Sequence, residues 1–252
     1  MTMSEISAST KDSIHIRDYD LVKDLMGHRS FVDVTFLQIS GRMPEPAESR
    51  MLEAILVTVS DHGLTPSVLA ARLTNYGAPE ALQASVAAGL LGAGNRILGA
   101  MQNASERLRD EVVERGLDDP DADFNAAAEA ICESVRAGSP RIPGYGHPIH
   151  VDSDPRVERL IEIAEECGFR GPHLRLAEAI GEVLSRPGPR RLPMNAASAI
   201  GGIIADMDQP PILARGLSLI GRAAGLVAHL LEETENPIAR DLWGFAEPSL
   251  TR

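Results

Sequence analysis

Residues 142–156, Ile-Pro-Gly-Tyr-Gly-His-Pro-Ile-His-Val-Asp-Ser-Asp-Pro-Arg, put several chemically useful groups into one short stretch. Gly144 and Gly146 precede His147, so the backbone there can take dihedrals a Cβ forbids and can come close to a ligand. His147 has an unperturbed pKa near neutrality, the range suited to moving protons. Asp154-Pro155-Arg156 then opens an amphipathic segment. That places Arg156 in a first helical turn, where backbone N–H groups favour anions. An acid–base group and an anion clamp together suit an anionic substrate. A glycine- and proline-rich connector with an exposed histidine is the alternative reading of the same residues.

Other charged groups stand out by their surroundings. His62 lies in Ser60-Asp61-His62-Gly63 at the end of an apolar-periodic helix, where a histidine can also simply complement the helix dipole. Arg96 sits among Gly92, Gly94 and Gly99, and Arg222 within Ile220-Gly-Arg-Ala-Ala-Gly225. An arginine in such a small, apolar setting must reach solvent, an ion-pair partner or an anionic ligand. Arg240 lies in a tail with Trp243 and Phe245 that reads as a docking arm.

The elements that must position these groups read as helices. The chain has 252 residues with 44% hydrophobic and only 4% aromatic content, mostly Ala, Leu, Ile and Val. Such a composition suits closely packed helices better than sheets. Helical spacing is expected over 18–27, 46–61, 64–73, 79–108, 124–137, 157–167, 171–185 and 212–233, with a possible break near Gly94. Residues 1–12 are expected to fray, and 13–17 to form one short strand. The fold class expected is all-α.

The formal charge of −12 argues against a general nucleic-acid surface. No apolar run spans a bilayer and no apolar leader opens the chain, so a cytoplasmic protein is expected. Cys132 and Cys167 fit free thiols buried in apolar segments, and no Cys/His spacing suggests a metal site.

Taken in order, these pieces resemble the citrate synthase superfamily, most nearly its short citryl-CoA lyase branch and the C-terminal module of ATP-citrate lyase. Asp61-His62-Gly63, Gly94-Asn95-Arg96-Ile97-Leu98-Gly99, Gly144-Tyr145-Gly146-His147, Asp154-Pro155-Arg156 and Gly221-Arg222 match family motifs in sequence order, and Arg240 matches a tail arginine. The resemblance implies catalytic roles for His62 and His147. It implies substrate carboxylate or phosphate binding by Arg156, Arg222, Arg240 and Arg96, and coenzyme A contacts at Ile142, Gly144 and Gly146. The substrate implied is a coenzyme A thioester, paired with an oxo acid, in a homodimer or higher homo-oligomer, with no metal, nucleic acid or membrane partner. The implied architecture is a large helical domain, 1–103 with 209–252, and an inserted small one, 104–208.

Two departures qualify the match. Asn195-Ala196-Ala197-Ser198 stands where the family carries Asn-Val-Asp-Gly, so its proton-moving aspartate is Ala197; Pro148 replaces the loop arginine. Alanine cannot move a proton, and Asp206, nine residues on, is a candidate substitute. The substrate or reaction therefore differs, or the chain is a non-catalytic relative that binds coenzyme A or polycarboxylates. A helical scaffold without a site is the remaining reading.

Overall fold

The computed structural model describes residues 4–95, 97–186 and 191–247. They fall into two compact units, divided between Ala54 and Ile55.

The first unit opens with three short antiparallel strands, β1 (Ser7–Ser9), β2 (Ile14–Ile16) and β3 (Tyr19–Asp20), with Ala8 opposite His15 and His15 opposite Asp20. A five-residue π-helical turn, Leu21–Leu25, and α1 (Phe31–Ser40) follow. α1 is started by a capping box, in which Ser30 and Asp33 each accept the other's backbone N–H. Ile16, Leu25 and Leu37 form the small core. The expectation of a frayed start is corrected here: Ser7–Ser9 carries almost no apolar signal, yet pairs with β2 through its backbone. Expected helix 18–27 shrinks to the π turn, since Asp20 caps it and Gly27 ends it with φ +78°.

α2 (Pro46–Ser60) crosses the division between the units. The second unit continues with α3 (Pro66–Gly77), α4 (Leu82–Leu91), α5 (Gly99–Arg115) and α6 (Phe124–Arg136). α7 (Pro155–Cys167), α8 (Pro172–Ser185), α9 (Ala196–Asp206), α10 (Ile212–Glu235) and α11 (Ala239–Ala246) complete it. The fold class is all-α as expected. Expected helix 79–108 is two helices, interrupted at Gly92-Ala93-Gly94, because consecutive small residues leave too little side-chain packing to offset the glycine penalty.

α9 is the central helix: every residue from Ser198 to Ala205 is buried, against α5, α7 and α8. A second cluster joins α3, α4 and α10 through Val68, Ala71, Leu226 and Leu230. α11 docks on α3, with Trp243 edge-on to Tyr76 at 6.0 Å. Cys132 and Cys167 are free; Cys132 is buried, whereas Cys167 is partly exposed. No helix among the described residues is long and apolar enough to cross a membrane.

Candidate active site

The turn after α2 is built by charge and by close helix contact. α2 ends at Ser60, so His62 lies two residues beyond the helix and does not cap it. The Gly63 N–H donates to Asp61 Oδ2 at 3.0 Å, and Gly63 takes φ +70°. α10 lies directly against this end of α2. A Cβ on Gly225 would fall 2.0 Å from the Ser60 carbonyl oxygen, so only glycine permits the approach. One turn earlier, the same contact brings Arg222 beside the His62 turn.

Arg222 is 5% exposed, and its Nε and Nη1 are buried without a hydrogen-bond partner. Burial pulls its pKa down, opposed by the negative charge of Asp61. Asp61 is held in turn by His229, whose Nε2 lies 2.8 Å from Oδ1. Arg72 donates to Nδ1 of the same ring at 3.1 Å, so the ring hydrogen is on Nε2 and points at Asp61. Burial would raise the Asp61 carboxyl, but the Gly63 and His229 hydrogen bonds outweigh it and hold it below the usual range.

The 142–156 loop is fastened to the start of α9. Gly146 N–H donates to the Pro193 carbonyl at 2.7 Å, and Asn195 N–H to Gly144 O at 2.9 Å. Asn195 Nδ2 donates to Gly146 O at 2.7 Å, while its Oδ1 accepts from Ala197 N–H at 2.9 Å as the helix cap. Gly144 has φ +93°, and a Cβ there would lie 2.5 Å from Ser198 Cβ and N. Asp154 closes the loop. It accepts from Arg156 Nε at 2.9 Å, Nη2 at 2.7 Å and backbone N at 3.1 Å, and from Ala196 N at 3.1 Å. Burial works to raise its carboxyl, but these bonds win and hold it at about 2.

Inside the loop, the backbone N–H groups of Ile149 and His150 both point at His147 Nδ1, at 3.1 and 3.0 Å. Nδ1 must therefore carry a lone pair, and the neutral ring carries its hydrogen on Nε2. Burial first, then the neighbouring His150, His62 and Arg156, keep the His147 pKa below the ordinary histidine value. His147 is thus a neutral, oriented hydrogen-bond donor.

These elements enclose a cavity of about 500 Å3 lined by His62, His147, Arg156, Asn195, Ala197 and Arg222, among others. The His62 and His147 ring centroids are 5.0 Å apart. A second cavity, of about 940 Å3, lies between the C-terminal ends of α6 and α8 and the loop. Arg136, Arg141, Arg186 and Arg191 line it, with Ile142 and Tyr145. Gly146, His147 and Pro148 line both cavities.

Of the residues singled out in the sequence, His62, His147, Arg156 and Arg222 come together at one cavity, and Ile142 and Gly146 line the other. Gly144 lies beneath the loop against Ser198, and Arg240 is exposed on α11 and lines neither cavity. Arg96 lies outside the described residues. Asp206 is corrected as a substitute for the missing carboxylate. It accepts the N–H groups of Gly171, His173 and Leu174 and pairs with His173 Nδ1 at 2.7 Å, so it caps α8. Sequence reasoning missed His150, which stacks on His147 at 4.6 Å and meets His62 edge-on at 5.5 Å. It also missed the Arg72–His229–Asp61 relay and the arginine-lined second cavity.

Comparison with known proteins places the chain in a family and a fold. Residues 36–241 match the family described as citrate synthase, C-terminal domain. The solved citryl-CoA lyase from Hydrogenobacter thermophilus is 35% identical, with a TM-score of 0.78, covering 92% of this chain and 87% of that one. An ATP citrate lyase from Methanothrix soehngenii, solved with citrate and coenzyme A, shares the fold at a TM-score of 0.78 and 23% identity, covering 93% of this chain and 39% of that one. The citrate synthase-like protein oryE of Aspergillus oryzae is 27% identical over 202 residues, 77% of this chain and 42% of that protein. The chain thus spans less than half the length of that curated relative.

Proposed function

Because the chain belongs to the citrate synthase C-terminal domain family, we propose that it makes or breaks a carbon–carbon bond next to a coenzyme A thioester. The reaction is citryl-CoA lyase-like: citryl-CoA, or a related 3-hydroxyacyl-CoA, gives acetyl-CoA and an oxo acid. The observation that carries the reading is Arg222. Arg222 lines the same cavity as two imidazoles, one of them fixed as a donor, and two nitrogens of its guanidinium are buried without a partner. A buried cation without a partner is strongly disfavoured, and a substrate carboxylate removes the penalty while matching the guanidinium fork.

In this proposal Arg222 and the free edge of Arg156 hold the carboxylates of the oxo-acid half. His147 Nε2–H donates to the thioester oxygen, which becomes an enolate oxygen as the bond breaks. His62 takes the proton of the carbinol hydroxyl. The coenzyme lies in the larger cavity, with phosphates near Arg136, Arg141 and Arg191, and crosses Gly146 and His147 to reach the smaller one. Ile142 and Gly146 offer backbone to it, and Gly144 fixes the loop. Arg240 cannot serve its own cavity from α11, so its part would be played in a neighbouring copy's site, within a homodimer. The division into domains 1–103 with 209–252, and 104–208, and a cytoplasmic setting, belong to the same proposal.

Ala197 supports a second reading, a relative that binds these ligands without turning them over. An acyl-CoA panel including citryl-CoA, followed by mass spectrometry, decides between them. Release of acetyl-CoA from at least one compound, lost in His62→Ala and His147→Ala, supports the lyase. Calorimetric binding without turnover on any compound supports the second reading.

A further inference from the structure

Cleavage moves two protons: one leaves the carbinol hydroxyl and one arrives at the carbon next to the thioester. The described residues lining the smaller cavity include four ionisable side chains, His62, His147, Arg156 and Arg222. Arginine does not exchange its proton near neutrality. None of the described residues lining this cavity is a carboxylate. Asp154 is engaged by Arg156 and Ala196 and Asp206 by the start of α8, while Asp61 is half-exposed, outside the lining, and bonded to Gly63 and His229. His147 is also unsuited, since its Nδ1 is taken by two backbone hydrogens and its Nε2 hydrogen is a standing donor. A second mobile proton carrier must come from elsewhere.

His150 is placed to be that carrier. One nitrogen from each of His62, His147 and His150 lies within 4.8 Å of the others, so His150 stands directly behind the two histidines that line the cavity without itself lining it. Position separates the two mobile imidazoles. His62 stands on the turn that α10 presses against, beside Arg222. His150 stands on the loop over which a thioester would arrive from the arginine-lined cavity. We propose that His150 is the acid–base group at the thioester α-carbon, a role no carboxylate of the cavity can fill. This rests on the lyase reading above.

The step balances without an oxidant or co-reactant. His62 accepts the hydroxyl proton as the carbinol carbon becomes the oxo-acid carbonyl. The carbon–carbon bond breaks, and its electron pair passes into the thioester enolate held by His147. Protonated His150 gives its proton to the α-carbon, completing the acetyl thioester, and is reloaded from solvent or from His62. Three imidazoles this close would also suit a divalent transition metal. A ligating histidine, however, donates from its second nitrogen, whereas His147 accepts there.

The test uses the full chain and two readouts, steady-state cleavage of the active acyl-CoA and exchange of the acetyl-CoA methyl protons in deuterium oxide with an oxo acid bound. His150→Gln keeps the backbone N–H that orients His147. It should slow both readouts by about 10²- to 10⁴-fold with KM and melting temperature nearly unchanged. His150→Gln combined with Ala197→Asp should regain about tenfold or more over the single variant, because a carboxylate at 197 faces the same cavity. A merely structural histidine would not be rescued in this way. The assignment falls if His150→Gln exchanges at the wild-type rate, or if a folded His150→Gln is inactive and Ala197→Asp restores nothing. It falls too if wild-type turnover disappears on chelation and returns with Zn²⁺. A wild-type protein inert on every acyl-CoA would sink the lyase reading and this inference together.

Discussion

Arg222→Met separates a ligand-binding arginine from a structural one, because its two expected effects have opposite signs. Methionine follows the path of the arginine stem and fills the space with flexible apolar atoms. In the ligand-free protein it removes a guanidinium that is 5% exposed and has two unpaired nitrogens. Replacing a buried charge by well-packed apolar groups is worth about 1–4 kcal/mol in comparable cases. For a chain of this size each kcal/mol raises the melting temperature by about 2–4 °C. Binding should move the other way. Losing one partner of a buried, charge-assisted pair costs about 2–5 kcal/mol, which is about 30- to 5,000-fold in affinity for a polycarboxylate. Differential scanning calorimetry, with and without citrate or a dicarboxylic oxo acid, reads both effects in one series. The wild type should melt low and rise steeply with ligand; Arg222→Met should melt higher and scarcely respond. A variant that melts below the wild type without ligand, yet binds with wild-type affinity, would refute the reasoning and make Arg222 a structural residue.

Three further outcomes follow from the loop. His147→Asn keeps an acceptor near Nδ1 for the two backbone N–H groups but has no Nε2–H, so kcat should drop by about 10²- to 10³-fold with the fold intact; unchanged kcat would remove His147 from the enolate. Gly144→Ala combines φ +93° with a Cβ 2.5 Å from Ser198. It should lower stability in urea by about 2–5 kcal/mol, and a wild-type midpoint would show that the loop is not fastened there. Asp154 has a folded pKa of about 2 against 3.8 unperturbed, so its carboxylate stabilises the fold above pH 3.8 and that contribution is lost as pH falls through 2. The difference is worth about 2 kcal/mol, and Asp154→Asn should be less stable at pH 6 and flatter between pH 4 and 2; an acid limb identical to the wild type would contradict the assignment.

What the sequence disclosed about the site follows a physical pattern. His147, Arg156 and Arg222 were visible because each sits where its surroundings make it costly or unusual: between glycines, after Asp-Pro, or inside a small-residue helix. His150 was not, because a histidine in an irregular loop has no periodicity to violate, and only the turn through Pro148 and Ile149 stacks it on His147. The Arg72–His229–Asp61 relay was equally hidden, since its members lie 157 and 168 residues apart along the chain. α2, α6, α7, α8 and α10 were legible from their apolar stripes to within a few residues, whereas α1, α9 and α11 were not read as helices. β1 was not, because its pairing is a backbone property that Ser-Ala-Ser does not advertise. Asp206 looked like a spare acid only while its distance from α8 was unknown.

The chain also contains its own comparison for Arg222. Arg72 is as deeply buried, at 2% exposed, and likewise lies in a helix rich in small residues. Its terminal nitrogens are spent inside the protein: Nη1 donates to Glu233 at 2.7 Å, and Nη2 bonds Glu232 and the His229 ring. The same fold thus neutralises one buried guanidinium with its own acids and leaves the other facing a cavity with two nitrogens idle. If Arg222 served packing alone, a well-packed apolar residue of similar volume would serve as well or better. A charge kept at that cost, beside a histidine whose tautomer is fixed by two backbone hydrogens, makes physical sense when the missing counter-charge arrives with the substrate. That contrast weighs against a bare helical scaffold more heavily than the absent carboxylate at Ala197 weighs for one, because removing a proton carrier leaves the anion-binding geometry untouched.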